Sequence, residues 1–523
     1  MKFTNKLAAL LLAGSLGLFT SCDESALLDL NVDQNAATDI DMAYLFSLGT
    51  LRIAGEYENT RVPMLYAATM IQHTASTAGY FSGDKYLYNA QYSGAYMESH
   101  YTGVVRLFQH VITRTQEDPT MDNFRAASMV LKVFDLHRMT DIYGDIPYSE
   151  AGKGLDGPEY WFPKYDSQEE VYNAMIADLL QARSLFSESA RGFGAQDFIY
   201  EGDISKWRKF TNSLLMRIAM RMSNVDEAKA RAVFAEASSN GAFESIDDMA
   251  TIIFATGPQG INRNGLNDGY WGNNKYSRDC KISDTFFQWM KTNNDPRLTI
   301  VAGPIGNPED PSTWVSDVDA LRGMPNGYTS TTLRPLLSPE DLAAYNANGN
   351  RIYSMLNLKY LDWEDPYYLI SYAEVELMKA EAALKGWISS DATEHFNKGV
   401  AAAINSWTLF DASFARTPEQ VQAYIAGRGF GAASTEDKLR LIGEEYWAAT
   451  YLNDIESWAN WRRTGYPALT PTQDPNAFEG NFIPRRLRYW ENEIGSNPEN
   501  YQAATARMGG DLFATKMWWD GGN

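Results

Sequence analysis

The chain has 523 residues, 45% hydrophobic and 21% charged, which is enough apolar material for a sizeable core and excludes a disordered chain. Its formal net charge of −21 sets up a field that repels nucleic acids, anionic lipids and polyanionic substrates and favours a neutral or cationic ligand. With two cysteines, the first close to the N-terminus, a disulfide framework is excluded.

Lys2 and Lys6, followed by the apolar run 7–19, read as a secretory signal. The run is shorter than the ~20 residues a membrane-spanning helix needs. It closes on Phe19-Thr20-Ser21-Cys22, small residues ahead of a cysteine. Lipoprotein signal peptidases cut at such a site, and the new N-terminal thiol carries a diacylglycerol. Residues 1–21 are therefore expected to be a signal peptide, and 22–36 a lipidated, flexible tether that begins with Asp23 and Glu24. An acidic pair directly after the lipidated cysteine resembles a surface-export signal, so the expected location is the outer membrane, facing the exterior. With Cys22 lipidated, Cys280 stands alone and no disulfide forms within the mature chain.

Residues 37–523 are expected to form a single domain, and its N-terminal half reads mostly as helix. The spacing of Phe124, Ala127, Leu131 and Phe134 predicts a helix over 122–142. Further helices are predicted over 61–78, 168–186 and 205–223, the second entered through an Asp166-Ser167 N-cap. A Gly/Asn/Pro-rich insertion follows at about 257–339, broken by a short helix near 283–291. Helical sequence returns at Ile370. Ala373, Leu377, Ala380 and Leu384 share one face, and Ala392, Phe396, Val400, Ala403 and Trp407 share another, with Gly386 in the turn between. Small residues facing large ones let antiparallel helices approach closely, as in tetratricopeptide-type pairs. A long helix over 436–463 ends with arginines in its last turn, Gly465 as C-cap and Pro467 as stop. The expected fold is all-α, a tetratricopeptide-like helix-pair scaffold with long irregular loops.

Recognisable catalytic motifs are missing. The histidines His73, His100, His110, His137 and His395 include no i, i+4 pair, and neither a GxSxG elbow nor a GxxxxGK[ST] loop occurs. Glu374, Glu376, Glu381, Glu444 and Glu445 lie on helices, where carboxylates usually sit on solvated faces or pair with Lys and Arg; a surface glycosidase would need two of them across a cleft. Cys280 reads as a passive thiol. Neither catalytic residue, metal nor cofactor is expected.

Two loop segments could hold a ligand. Residues 79–96 carry Tyr80, Tyr86, Tyr88, Tyr92 and Tyr96 among Gly, Ser and Asn89. Residues 262–279 carry Tyr270 and Trp271 beside Asn273. Rings on loops offer flat platforms for the C–H faces of a sugar, and neighbouring amides and carboxylates can pair its hydroxyls. The same rings would equally pin long loops onto a helical body, which would leave a helical-repeat interaction scaffold without a small ligand.

Six segments in chain order resemble motifs of the SusD/RagB family of outer-membrane nutrient-binding lipoproteins, in its SusD-like branch. Residues 31–38 (NVDQNAAT) are similar to the opening "NxxPNxAT", with Gln34 where Pro is usual. The others are 143–151 (YGDIPYSEA), 294–298 (NDPRL), 372–382 (YAEVELMKAEA), 458–467 (WANWRRTGYP) and 483–489 (IPRRLRY). Arg462, Arg463, Arg485 and Arg486 in the last two are expected to make structural ion pairs. The resemblance implies a helix-pair fold without catalysis. It also implies capture of oligosaccharides, or of peptides in some members, and a SusC-type TonB-dependent transporter barrel as partner, over which the lipoprotein sits as a lid. It carries no ligand residue over to this chain.

Overall fold

The computed structural model describes residues 40–55, 60–257, 260–272, 278–472, 474, 477 and 482–522. Cys22 with its signal and tether, the opening motif at 31–38 and Asn273 lie outside the described residues.

Helices dominate, and they pack in pairs. Helix α1 (Met42–Arg52) and α2 (Arg106–Arg114) pack on each other and on α3 (Asp122–Tyr143), which in turn packs on α4 (Gln168–Leu185). Helix α5 (Ile204–Arg221) pairs with α6 (Glu227–Ser239). The 257–339 stretch holds α7 (Asp284–Thr292), and α8 (Pro339–Asn348) follows it. Then come α9 (Tyr372–Leu384), α10 (Ala392–Asn405), α11 (Pro418–Gly427), α12 (Thr435–Ala449), α13 (Asp454–Thr464) and α14 (Pro498–Met508). This is the helix-pair architecture expected from the sequence.

Local chemistry sets the helix ends. Ser167 opens α4 in a capping box with Glu170, and Ser371 opens α9 in one with Glu374, so each satisfies two orphan backbone groups. Gly465, at φ +76°, closes α13. Within the α9–α10 pair a Cβ added to Gly399 would lie 2.8 Å from the Leu377 side chain, so only glycine permits that approach.

Two predicted helices are shorter than their patterns suggest. The 61–78 segment is a π-helical turn (Arg61–Ala67) and a short α-turn (Ala68–Met70), after which Gln72 adopts φ +58°. Tertiary bonds end it: Gln72 donates to the Thr470 carbonyl, and His73 pairs with Asp454 (2.6 Å) and the Trp447 carbonyl (3.0 Å). The 436–463 segment is two helices, α12 and α13, parted where Leu452 takes φ +72°. Ile370 belongs to a strand rather than to a helix.

The strands form two short antiparallel ladders. β1 (Thr74–Ser76) pairs with β3 (Cys280–Ile282), Ser76 opposite Cys280, and β2 (Ala250–Ile252) pairs with β4 (Tyr367–Ile370). One hydrophobic core runs through the helix pairs around Phe46, Phe124, Trp207 and Trp458, and a second, around Phe286, Phe287 and Trp447, lies under the loop-rich stretch. Fully burying one such ring stabilises the fold by about 1.5–3 kcal/mol.

Buried ion pairs lock the helices together. Arg217 binds Glu374 (2.6 Å), Arg221 binds Glu456 (2.6 Å) and Asp141 (3.2 Å), and Arg297 binds Asp295 (2.7 Å) and Glu445 (2.8 Å). Of the motif arginines, Arg463 forks onto Glu381, Arg485 pairs with Asp520 and Arg486 with Asp511. Arg462 departs from the expected ion pair. Its guanidinium lies 3.7 Å from the Trp458 ring centroid and donates to the Arg485 carbonyl (2.7 Å).

Candidate ligand-binding site

The β1–β3 ladder brings together two aromatic segments that are far apart in sequence. β1 leads into 79–96, and the 262–279 segment leads into β3. Their junction is bonded across: the Tyr80 hydroxyl donates to Asp279 Oδ2 (2.7 Å), and the Ser76 hydroxyl donates to the Asp279 carbonyl (2.9 Å). Tyr80, Tyr92 and Trp271 are half-buried and pack on the second core, so each keeps a face or edge toward solvent.

An internal ion pair fastens the first loop from beneath. Asp84 binds Lys85 (3.0 Å), and it also accepts from the Gly327 amide (2.9 Å) and from Asn326 (2.8 Å). Burial raises the Asp84 carboxyl above its usual range, opposed by the Lys85 charge and those bonds. Lys85 also donates to the Ser76 carbonyl, tying the loop back to β1.

The sequence-predicted residues separate into two groups. Tyr86, Tyr96 and Tyr270 are corrections: each is at most 2% exposed and cannot offer a ring to a ligand. Tyr86 accepts from the Thr472 amide (3.2 Å), Tyr96 donates to Asp135 (3.0 Å) and stacks on His100, and Tyr270 lies inside the second core. Burial pushes all three phenols well up from their ordinary value. Tyr80, Tyr88, Asn89, Tyr92 and Trp271 are half-buried or exposed. Tyr88 sits away from the ladder, under the Arg488 guanidinium (4.1 Å to its ring centroid) and beside Phe513. Asn89 caps a short helical turn by accepting from the Tyr92 amide (3.1 Å).

Sequence reasoning missed Trp363, and it did not single out Arg263 and Asp279 within the 262–279 segment. A Cβ added to Gly272 would lie 2.2 Å from Trp363 Nε1, so this indole rests directly on the backbone beside Trp271. The Arg263 guanidinium lies over the ring at 3.7 Å from its centroid, and the Asn264 backbone amide donates to the Trp363 carbonyl (2.9 Å). The only sequence signal was a lone tryptophan in the acidic, proline-bounded turn 362–366. Trp271 and Trp363 thus meet at Gly272, with the Arg263 guanidinium over the Trp363 ring and the Asp268 carboxylate beside it, while Tyr80 is bonded to the Asp279 carboxylate at the ladder. Those are the elements of sugar recognition, since rings meet C–H faces while the charged groups pair hydroxyls.

The candidate nucleophile and acids are otherwise engaged. Cys280 is fully buried, and burial pushes its thiol up to about 12. Glu374, Glu381 and Glu445 each bind a buried arginine, Glu376 binds Lys379 and His395, and Glu444 binds Arg428 and Arg440.

Known proteins share this architecture. Residues 34–490 match a SusD-like family described as starch-binding and associating with the outer membrane. Among solved structures, a chitin-binding protein is 29% identical, with a TM-score of 0.79 over 92% of this chain and 100% of its own. A SusD-like protein from Bacteroidetes is 27% identical, with a TM-score of 0.81 over the same shares. A SusD homologue from Bacteroides uniformis, 24% identical over 92% of this chain and 99% of its own with a TM-score of 0.74, shares the fold. Comparison with curated proteins gives no match. With its family match spanning most of the sequence and its helix pairs, capping boxes and motif arginines in place, the chain belongs to the SusD-like family.

Proposed function

We propose that this protein is a cell-surface lipoprotein, anchored in the outer membrane through lipid on Cys22, that captures oligosaccharides without catalysis. It delivers them to a SusC-type TonB-dependent transporter barrel, over which it acts as a lid. One observation supports the binding reading: the β1–β3 ladder joins the ends of two aromatic segments across the Tyr80–Asp279 bond, and Trp363 lies against Gly272 of the second segment, next to Trp271. The family description and the chitin-binding relative support carbohydrate as the ligand class. A glycosidase reading loses its acids, because the helix glutamates are bound to basic side chains.

Calorimetry against starch-derived and chitin-derived oligosaccharides tests this. Binding is expected for at least one, and Trp271→Ala should weaken it about tenfold or more, as for a central aromatic anchor. Failure of every glycan to bind, with no barrel co-purifying from native membranes, refutes the proposal.

A further inference from the structure

Apart from the paired loops, the fold contains a second aromatic hollow. It lies between residues 97–106, the connection from α3 to α4, and residues 490–493, and has a volume of about 430 Å³. That is within the range of pockets that bury a small organic ligand. Tyr101, Tyr160, Trp161 and Trp490 line it, and Trp161 is 65% exposed. An indole that open to solvent loses apolar hydration when a ligand face covers it.

The hollow is built rather than incidental. Tyr101 donates to the Pro147 carbonyl (2.6 Å), and the Trp161 indole N–H donates to the Gly154 carbonyl (3.1 Å). The Lys164 amide donates to Glu150 (2.9 Å), and Tyr165 donates to Glu493 (2.7 Å). The Asn497 amide group holds the Pro163 carbonyl (2.8 Å), which ties the wall to the start of α14. Tyr101 and Trp161 are thus held before any ligand arrives, so little ordering entropy of these two rings opposes binding.

Its charge states what enters. Three carboxylates line the hollow (Glu98, Glu150 and Glu493) against one guanidinium, Arg106. Carboxylates accept hydrogen bonds from hydroxyl or ammonium groups and repel other anions, which is specificity by exclusion. Glu493 is held by the Tyr165 hydroxyl (2.7 Å), and burial raises its carboxyl, opposed by its bonds to Tyr165 and Asn497.

We propose that this hollow is a second carbohydrate-binding site, which takes a neutral or amine-bearing oligosaccharide and rejects uronate-containing or sulfated ones. It rests on the carbohydrate reading above and adds a site to it. The rings stack on sugar faces while Glu98 and Glu150 accept the equatorial hydroxyls or an ammonium.

The test uses the full chain labelled with 5-fluorotryptophan, with the Trp161 and Trp271 signals assigned by Trp161→Phe and Trp271→Phe. The probes are maltohexaose, an N-acetylglucosamine pentamer, a glucosamine pentamer and an oligogalacturonate. At least one of the first three is expected to shift the Trp161 signal, and that shift should persist in Trp271→Ala. Trp161→Ala should remove one of two calorimetric binding steps, whereas Phe162→Ala, equally exposed but outside the hollow, should remove neither. A Trp271 shift with Trp161 silent for every sugar overturns the second site and leaves the loop site standing. A Trp161 shift with Trp271 silent supports the hollow and removes the loop site. Silence of both signals overturns the carbohydrate reading together with this proposal. An oligogalacturonate shift at Trp161 as large as the neutral ones overturns the charge selection.

Discussion

The arginines that mark the family make a sharp prediction about what they do, and Glu381→Ala tests it. Glu381 and Arg463 form a fork with two N–H···O bonds of 2.7 Å, and their side chains are only 7% and 4% exposed. Removing Glu381 leaves the guanidinium with Asn460 (2.9 Å) and a long contact to Ser223 (3.3 Å), neither of them charged. Two charge-assisted bonds at about 1.5–3 kcal/mol each are lost, and a buried cation is left unpaired. The expected cost is therefore about 3–5 kcal/mol in unfolding free energy. Urea denaturation followed by far-UV circular dichroism measures it. The double variant Glu381→Leu/Arg463→Met should recover much of the loss, because replacing both partners by apolar groups removes the unpaired charge. The pair also sets an acid limit. Burial alone would raise the Glu381 carboxyl, but the Arg463 charge and its hydrogen bonds outweigh burial and hold it below the usual range. A depressed carboxylate contributes stability that is present above its unfolded value of roughly 4.3 and is lost as pH falls through the folded value. The wild type should therefore converge on Glu381→Ala under acid conditions, since protonated Glu381 leaves the same buried guanidinium unpaired. If Glu381→Ala costs under about 1 kcal/mol at neutral pH, or lowers the glycan affinity of the folded protein, then the motif is not the structural clamp described above.

Two further outcomes are expected. Burial raises Asp365, with the Asp362 amide opposing and the Asp362 and Asp411 charges adding, to about 7. Its folded value lies above its unfolded value of roughly 4, so its stabilising contribution is complete below that pH and is lost as pH rises through 7. Asp365→Asn should thus gain on the wild type in unfolding midpoint between pH 4 and 8, and a difference that stays constant with pH refutes the assignment. Gly399→Val, which would drive a methyl group into Leu377, should cost about 1–3 kcal/mol; an unchanged urea midpoint would show that the α9–α10 approach is looser than described.

Much of the helical frame was legible because local chemistry and tertiary packing agree there. The apolar spacing of α3 and the Ser167 and Gly465 caps each point to the boundary that the structure has. Where they disagree, long-range bonds win. Gln72 and His73 leave the helix for Thr470, Asp454 and Trp447, partners that no local pattern reveals. The candidate site shows the same division. A tyrosine in a Gly/Asn-rich loop looks alike in sequence whether it turns inward, as Tyr86 and Tyr96 do, or stays half-exposed, as Tyr80 and Tyr92 do. Asp279 and Trp363 join the site only through the β1–β3 pairing and the close contact at Gly272, which the fold creates.

The buried tyrosines serve the exposed ones. Tyr66 donates to the Leu87 carbonyl (2.9 Å) and accepts from the Asn89 amide (2.9 Å), and Tyr86 holds the Thr472 amide, so the loop that carries Tyr80, Tyr88 and Tyr92 is bonded to the body at several points. The Asp84–Lys85 pair adds a charged anchor beneath it. A loop fixed in this way has already lost its conformational freedom on folding, so a ligand that stacks on its rings orders little further backbone. The same logic assigns the acidic surface a role. Flat rings bind any apolar face without regard to charge, and the net charge of −21 turns this generic stickiness against polyanions and toward neutral or cationic ligands.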